Sequence, residues 1–432
     1  MTNTAAIPKL IVKPIKSNTV LALADQLVVS GTRFATVWIL ARFCGSEQLG
    51  LYSLGFTLFV VVDLIQQAFV SSPFNVLLQS YPQDQRPRYA AAATVQAATV
   101  AVLGAVALSL VGLSCFVFGK PNLGSVLLAV AASGGIAIMR EFVRRQCFAE
   151  SHFAKALTLD LCVSTIQIGL MLALLQAGNL SAFTAHLCVG IACLAFIAAC
   201  MRAANLHSLP ERSMWRESLS KHWTFGRWAC LSQVANQLGW TLTQWIIAFG
   251  LSTEATGRFS GCLTLVFLSN PFILGLSNML LPRLAETIAN EGIDESLRLA
   301  TRACGITAGA MLLFSLIVAL YGERISVFIY ADPAYEGTSI VHFGLCAAVS
   351  VLSITMPLDA LMWASQRPEL SAISSLIGML VSVLAVLLCV RWGIAGAAIG
   401  LLIGSGVEAA TRIFCIRWKY VQRIPRGVLK EV

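Results

Sequence analysis

Apolar residues run through this chain in stretches long enough to cross a bilayer, separated by only a few polar positions at a time. A membrane-spanning helix needs about 20 such residues, and reading the runs at that length predicts twelve helices. Their ranges are 18–43, 49–80, 90–118, 123–145, 155–177 and 180–203, then 225–250, 256–281, 299–321, 337–365, 369–391 and 394–417. Connections such as Gln79 to Arg88, Gly119 to Gly124 and Gln366 to Glu369 are short and polar. The longest interior one, Arg202 to Thr224, is charged and is expected to hold a short surface helix. The layout is a tail over 1–17, a first lobe over 18–203, a linker over 204–224, a second lobe over 225–417 and a tail over 418–432. The fold class this predicts is an all-α integral membrane protein, with the first span uncleaved.

Charge tests that layout without using hydropathy. Of the 30 Lys and Arg, 24 fall in the termini and alternate connections on one side, among them Lys13, Arg86, Arg145, Arg212, Arg298 and Arg423. Five fall on the other side (Arg42, Lys120, Arg258, Arg324 and Arg391), and Arg33 lies within the first span. Basic residues gather on the cytoplasmic side of a membrane protein, so both termini are expected there. The formal charge of +9 is thus spread between spans rather than collected on one surface, and no nucleic-acid partner is expected.

Composition narrows the function. Only 12% of residues are charged and 57% are hydrophobic, against about a quarter charged in a soluble domain. The loops leave no room for a soluble catalytic domain, so an enzyme is not expected and function must reside among the spans. The 13 cysteines lie mostly inside apolar runs, none in a C-x-x-C pair, and no histidine has metal-ligand spacing. No G-x-x-x-x-G-K-[ST] loop is present, so neither ATP hydrolysis nor a cofactor is expected.

The chain also repeats itself. Shifted by 207 positions, Ala22 to Asp63 lies over Ala229 to Asn270 without a gap, with eleven identities in 42 positions. Trp38, Ile39 and Ala41 fall on Trp245, Ile246 and Ala248, while Glu47, Gly50 and Ser53 fall on Glu254, Gly257 and Ser260. Apolar bias explains matches of Leu and Val but not Trp, Glu and Gly in register. Each half has an even number of spans, so both enter the membrane in the same direction. Parallel repeats of this kind are related by an axis along the membrane normal, with a substrate cavity between them.

The segment Leu40-Ala41-Arg42-Phe43-Cys44-Gly45-Ser46-Glu47-Gln48-Leu49-Gly50-Leu51-Tyr52-Ser53-Leu54 resembles the first-to-second-helix turn of polysaccharide biosynthesis proteins. These belong to the multidrug/oligosaccharidyl-lipid/polysaccharide exporter superfamily. The stretch Arg140-Glu141-Phe142-Val143-Arg144-Arg145-Gln146-Cys147-Phe148-Ala149-Glu150 is similar to the basic extension that the family carries between its fourth and fifth helices. The resemblance implies two six-helix repeats around a central cavity (MATE-like). It also implies a flippase that carries polyprenyl-diphosphate-linked oligosaccharide across a bacterial inner membrane by alternating access. The partners it implies are the lipid-linked glycan, membrane lipids and polysaccharide assembly proteins. Coupling would be to a proton or sodium gradient or to the membrane potential. The competing reading within the superfamily is a multidrug/cation antiporter.

Polar residues at membrane depth are the candidate site. Arg33 lies about 22 Å into the first helix, where a charge costs about 2.5–3.5 kcal/mol. It reads either as a phosphate site in the cavity or as an internal ion pair with Asp63. On the seventh span Gln233, Gln237, Trp240 and Gln244 share one helical face, with Asn236 beside them. The repeat sets them over Gln26, Ser30, Arg33 and Val37, so Arg33 and Trp240 are expected to face each other across the axis. A cation opposite an indole and amides suits a pyrophosphate-sugar headgroup, and the competing reading is that the amides only join helices. Asp25 and Asp63 are candidate ion-coupling sites, Asp25 reading equally well as interfacial. Arg144 and Arg145 are candidates for headgroup capture at the cytoplasmic mouth. Asp160, Asp359, Glu408 and Arg412 are expected to be solvated near helix ends, and His186 and His342 to be satisfied core residues. Pro73, Pro271 and Pro357 lie within spans and are candidate hinges.

Overall fold

The computed structural model describes residues 17–78, 81–150, 152–203 and 212–417, and among these there is no strand. The tails and residues 204–211 of the expected linker lie outside the described residues. The first helical run, Ser17–Gln66, is interrupted at Gly45, whose φ of 83° and ψ of 170° are not helical. Only glycine takes that backbone without strain, so the run is two spans, α1 before Gly45 and α2 after it. α2 continues through a π-helical turn, Gln67–Ser71, into Ser72–Leu77. There follow α3 (Arg86–Val117), α4 (Pro121–Ala149), α5 (Phe153–Gln176), α6 (Ala182–Ala203) and α7 (Arg212–Gly250). α8 comprises Thr253–Val266, a 3-10 turn at Phe267–Ser269, and Asn270–Glu291. The last four are α9 (Ile293–Tyr330), α10 (Ser339–Ala364), α11 (Pro368–Cys389) and α12 (Gly393–Arg417).

Twelve helices therefore stand among the described residues where hydropathy predicts spans, although α7, α8 and α9 run six to thirteen residues past the predicted limits. Local signals set several of their ends. Proline opens α4 and α11, where its missing N–H costs nothing, and the Ser252 hydroxyl caps α8 by accepting from the Ala255 amide at 3.0 Å. Helices satisfy every backbone group internally, which the bilayer interior demands. Long apolar side chains then cover the outside: Val102, Leu103, Val106 and Leu110 on α3, and Leu312, Leu313, Leu316 and Leu320 on α9, are all more than half exposed.

The N-lobe (α1–α6) and the C-lobe (α7–α12) meet where the sequence repeat is strongest. A Cβ at Gly50 would run into the Thr253 carbonyl, and one at Gly257 into the Ser46 carbonyl. Those Cβ positions would also lie 3.1 Å from the Gly257 amide nitrogen and 2.9 Å from the Gly50 amide nitrogen, respectively. Residues 46, 50, 253 and 257 are related by the 207-residue shift, so the two copies touch backbone to backbone on their own axis. The duplicated tryptophans extend the contact. Trp38 Nε1 donates to the Ile329 carbonyl at 3.0 Å, and Trp245 Nε1 donates back to Thr57 Oγ1 at 3.2 Å. Arg42 adds a bond to the Ile329 carbonyl at 3.1 Å, and Ser46 Oγ donates to Asp332 at 2.9 Å. All of these lie in the half of the molecule away from the face that bears the ends of α1 and α12, here called the terminal face.

The second half of the expected linker is not a separate surface helix. From Arg212 it is already α7, and its first turns lie across α2 and α3 of the N-lobe. His222 and Tyr89 share a buried hydrogen bond at 2.8 Å, Gln96 donates to Ser218 at 2.9 Å, and Trp223 stacks on Phe69 at 5.3 Å. Six residues beyond Gly226, α7 joins the C-lobe, where Ser232 and Ser371 are hydrogen-bonded at 2.8 Å. Gly226 permits the close approach to α2, since its Cβ would sit 2.6 Å from the Ala68 carbonyl oxygen. Gly226→Val is expected to lower the midpoint of thermal unfolding in detergent, at a cost of about 1–3 kcal/mol, the usual range for overpacking.

Candidate functional site

Each lobe buries charge near the terminal face. In the N-lobe α4 supplies three guanidinium groups. Arg144 binds Asp25 of α1 through Nη2 at 2.7 Å, Asp160 of α5 through Nε at 2.7 Å, and Glu141 of its own helix at 2.9 Å. Arg140 pairs with Asp160 and Glu141, and Arg145 with Glu141 at 3.0 Å. Carboxylates and guanidinium groups stripped of water hold each other only when paired; each of these is paired, although Asp25 Oδ1 and Arg140 Nε are buried without a hydrogen-bond partner. In the C-lobe Glu408 accepts from Arg412 at 2.5 Å, Ser375 at 3.0 Å and Asn236 at 3.3 Å, and Asp359 lies 3.7 Å from Arg412.

Several expectations change in consequence. Asp160, Glu408 and Arg412 are buried rather than solvated. Asp25 is wholly buried and tied to Arg144 rather than open to solvent. Arg144 is itself buried among three carboxylates, which removes it from the open position that headgroup capture requires. Arg145 is more exposed, at 28% of its side chain, but also paired. Positive-inside bias accounts for the sequence positions of these arginines and says nothing about which of them turn inward.

Behind this cluster, among the helices of the N-lobe, lies a chamber of about 100 Å³ with a mixed polar and apolar lining. α1 lines it with Thr32, Arg33 and Thr36, α2 with Tyr52, Phe56 and Asp63, α4 with Arg140 and Glu141, α5 with Ser164 and Gln167, and α6 with Val189 and Cys193. Thr32 donates to Ser164 at 2.7 Å and Gln167 to Thr36 at 2.9 Å, which zips α1 to α5 along one wall. Arg33 is exposed, with its guanidinium carbon 5.7 Å from the centre of the Phe56 ring. It forms no ion pair among the described residues. Asp63 accepts one hydrogen bond, from Gln67 at 2.7 Å, while its Oδ1 is buried without a partner. A larger hollow, about 220 Å³, opens at the opposite face between Glu47, Lys120 and Phe249, away from these groups.

Of the sequence candidates, the structure brings together Arg33 and Asp63. Gln26 and Ser30 are half-buried on α1 and do not line the chamber. Trp240 packs its ring edge-on against Phe267 at 5.8 Å within the C-lobe and does not line the chamber that holds Arg33. The α7 amides mostly bind their own lobe: Asn236 reaches Glu408, Gln237 reaches Thr241 at 3.3 Å, and buried Gln244 accepts from Ser260 at 3.1 Å. Gln233 is half-buried beside them. Pro73 and Pro271 stand just after the π-helical and 3-10 interruptions of α2 and α8, whereas Pro357 lies inside the continuous α10. His186 stacks on Tyr52 and bonds its carbonyl, and His342 bonds Ser326 and the Thr338 carbonyl, both as core residues. Sequence reading passed over Thr32, Thr36, Ser164 and Gln167. Their spacings of four and three mark one polar stripe on each of two apolar helices, which was the available signal.

The family described as polysaccharide biosynthesis protein matches residues 15–288. No curated protein of similar sequence was found. Among solved structures, an inward-facing conformation of a multidrug resistance MATE family transporter of the MOP superfamily aligns with a TM-score of 0.68 and 16% identity, over 94% of this chain and 96% of that one. An outward-facing conformation of a multidrug resistance MATE family transporter of the MOP superfamily gives 0.67 and 13%, over 94% and 95%. The eukaryotic MATE transporter AtDTX14 gives 0.68 and 14%, over 93% and 96%. At these identities the likeness concerns the fold, which is the MATE fold.

Proposed function

The chain belongs to the polysaccharide biosynthesis protein family, and from that membership we propose that it is a flippase for polyprenyl-diphosphate-linked oligosaccharide. The observation that carries this reading is Arg33, an exposed guanidinium at the mouth of the N-lobe chamber, without an ion pair among the described residues. A charge left unpaired at membrane depth is costly unless something pairs with it during function, and a diphosphate oxygen fits a guanidinium fork. The chamber itself holds only a few waters, at about 30 Å³ each. The glycan therefore lies outside it, between the lobes, with its phosphate at Arg33 and its lipid tail in the bilayer.

With the terminal face cytoplasmic, the contacts through Gly50, Gly257, Trp38 and Trp245 close the molecule on the far side. The state described is then the one that loads cargo from the cytoplasmic leaflet. No bond in the cargo is made or broken. A cation antiporter is the second reading, and it draws on Asp63, the chamber carboxylate that lacks an ion pair. The test is a leaflet-accessibility assay in proteoliposomes with a lipid-linked sugar. Arg33→Ala is expected to lower flipping at least tenfold. A cation antiporter would instead keep, in the same variant, its export of a cationic dye.

A further inference from the structure

The N-lobe contains four carboxylates and four guanidinium groups in one contiguous polar volume, and their pairing is uneven. Asp25, Glu141 and Asp160 each have at least one guanidinium partner. Among the described residues Asp63 has none, and Arg33 in the same chamber has no carboxylate. The two stand as opposite charges lining one chamber, and no ion pair joins them among the described residues. We propose that Arg33 and Asp63 form an exchange pair: a cargo phosphate that engages Arg33 withdraws that cation's charge from Asp63, and Asp63 then takes up one proton from the bulk aqueous phase.

This deepens the flippase reading and rests on it. The other groups around Asp63 support the assignment. From α2 itself come the Gln67 amide and Tyr52, whose ring is stacked on His186 of α6. From α4 come Arg140, Glu141 and Arg145, whose charges are committed to one another and to Arg144 and Asp160. α5 offers only the neutral Ser164 and Gln167, and α6 offers Cys193. Glu141 keeps its charge when phosphate arrives because three guanidinium groups hold it, whereas Arg33 is the chamber cation that no carboxylate holds among the described residues. One proton enters as one phosphate charge pairs with Arg33, so the chamber keeps its net charge. In a low-dielectric setting that conservation favours coupling over either event alone.

The test uses the purified full chain in detergent, with inorganic pyrophosphate as probe. Calorimetric titration in two buffers of different ionisation heat reads the protons taken up on binding. The wild type is expected to take up about one proton more than Asp63→Asn. That variant, which needs no proton, should bind pyrophosphate several-fold more tightly than wild type at pH 8, with the gap closing toward pH 6. Binding with the same proton count in both proteins overturns the exchange while leaving the phosphate site standing. Should Asp63→Asn fail to fold, a wild-type uptake of zero overturns it equally. Absence of binding in the wild type, or binding unchanged in Arg33→Ala, overturns the phosphate site and the exchange together.

Discussion

Gly257→Ala is expected to abolish transport while leaving the protein folded, by forcing the two lobes apart where their repeats cross. The added methyl would meet the Ser46 carbonyl, which is backbone and cannot rotate away. Relief requires α8 to withdraw from α2 by an ångström or more. That separation strains the neighbouring cross-lobe bonds of Trp38, Trp245 and Ser46. Overpacking costs about 1–3 kcal/mol, and each 1.4 kcal/mol shifts a two-state equilibrium tenfold, enough to depopulate the state closed on that side. The readout is labelling of a cysteine placed at Asp332, which is hydrogen-bonded to Ser46 when the lobes are closed. Labelling should rise at least tenfold in the Gly257→Ala background. Gly305→Ala is the control, since nothing lies within 4 Å of its Cβ position, and it should leave both labelling and transport unchanged. Equal labelling in the two backgrounds would refute the claim that this crossing closes the molecule.

Arg144→Met is expected to cost about 3–5 kcal/mol, the usual penalty for removing one member of a buried ion pair. It leaves Asp25 without its cation, and both are buried. Most of a membrane protein's margin is of that order, so the folded yield after detergent extraction should fall severely. Arg145→Met should cost far less, because Arg145 is partly exposed and Glu141 retains Arg140 and Arg144. Adding Asp25→Asn and Asp160→Asn to Arg144→Met should recover much of the loss, since uncompensated carboxylates would then be absent. Two arginine variants of equal yield would contradict the cluster as described.

The helices were legible because a bilayer imposes a length and a composition that few soluble sequences satisfy, and the repeat was legible because Trp, Gly and Ser recur in register. The 207-residue shift even names the pair on the axis, Gly50 and Gly257. What it did not supply is how far from that point the symmetry brings side chains face to face. Arg33 lies twelve positions before the Gly45 turn, about 18 Å along α1, whereas Gly50 lies just beyond that turn on α2, and helices that meet near the turn diverge over that length. Hence Trp240 went to its own lobe and Arg33 to its own chamber. The ion clusters escaped notice for a related reason. Asp25, Arg144 and Asp160 sit on three helices, and their meeting depends on the rotation of each helix about its axis, which uniformly apolar faces leave undetermined. The start of α7 resembles a linker in sequence because Arg216, Glu217, Lys221 and His222 lower its hydropathy. They are accommodated at the helix end by pairing, as with Lys221 and Glu217 at 2.7 Å.

The docking of residues 212–226 on α2 and α3 bears on how the chain is built as it leaves the ribosome. Six spans inserted in order would still present a bare groove where Tyr89, Gln96 and Phe69 await their partners. The first half is finished only by the opening residues of the second. Two fragments divided near residue 208 and made separately in one cell would thus carry a built-in means of finding each other, the newer arm lodging in the older groove.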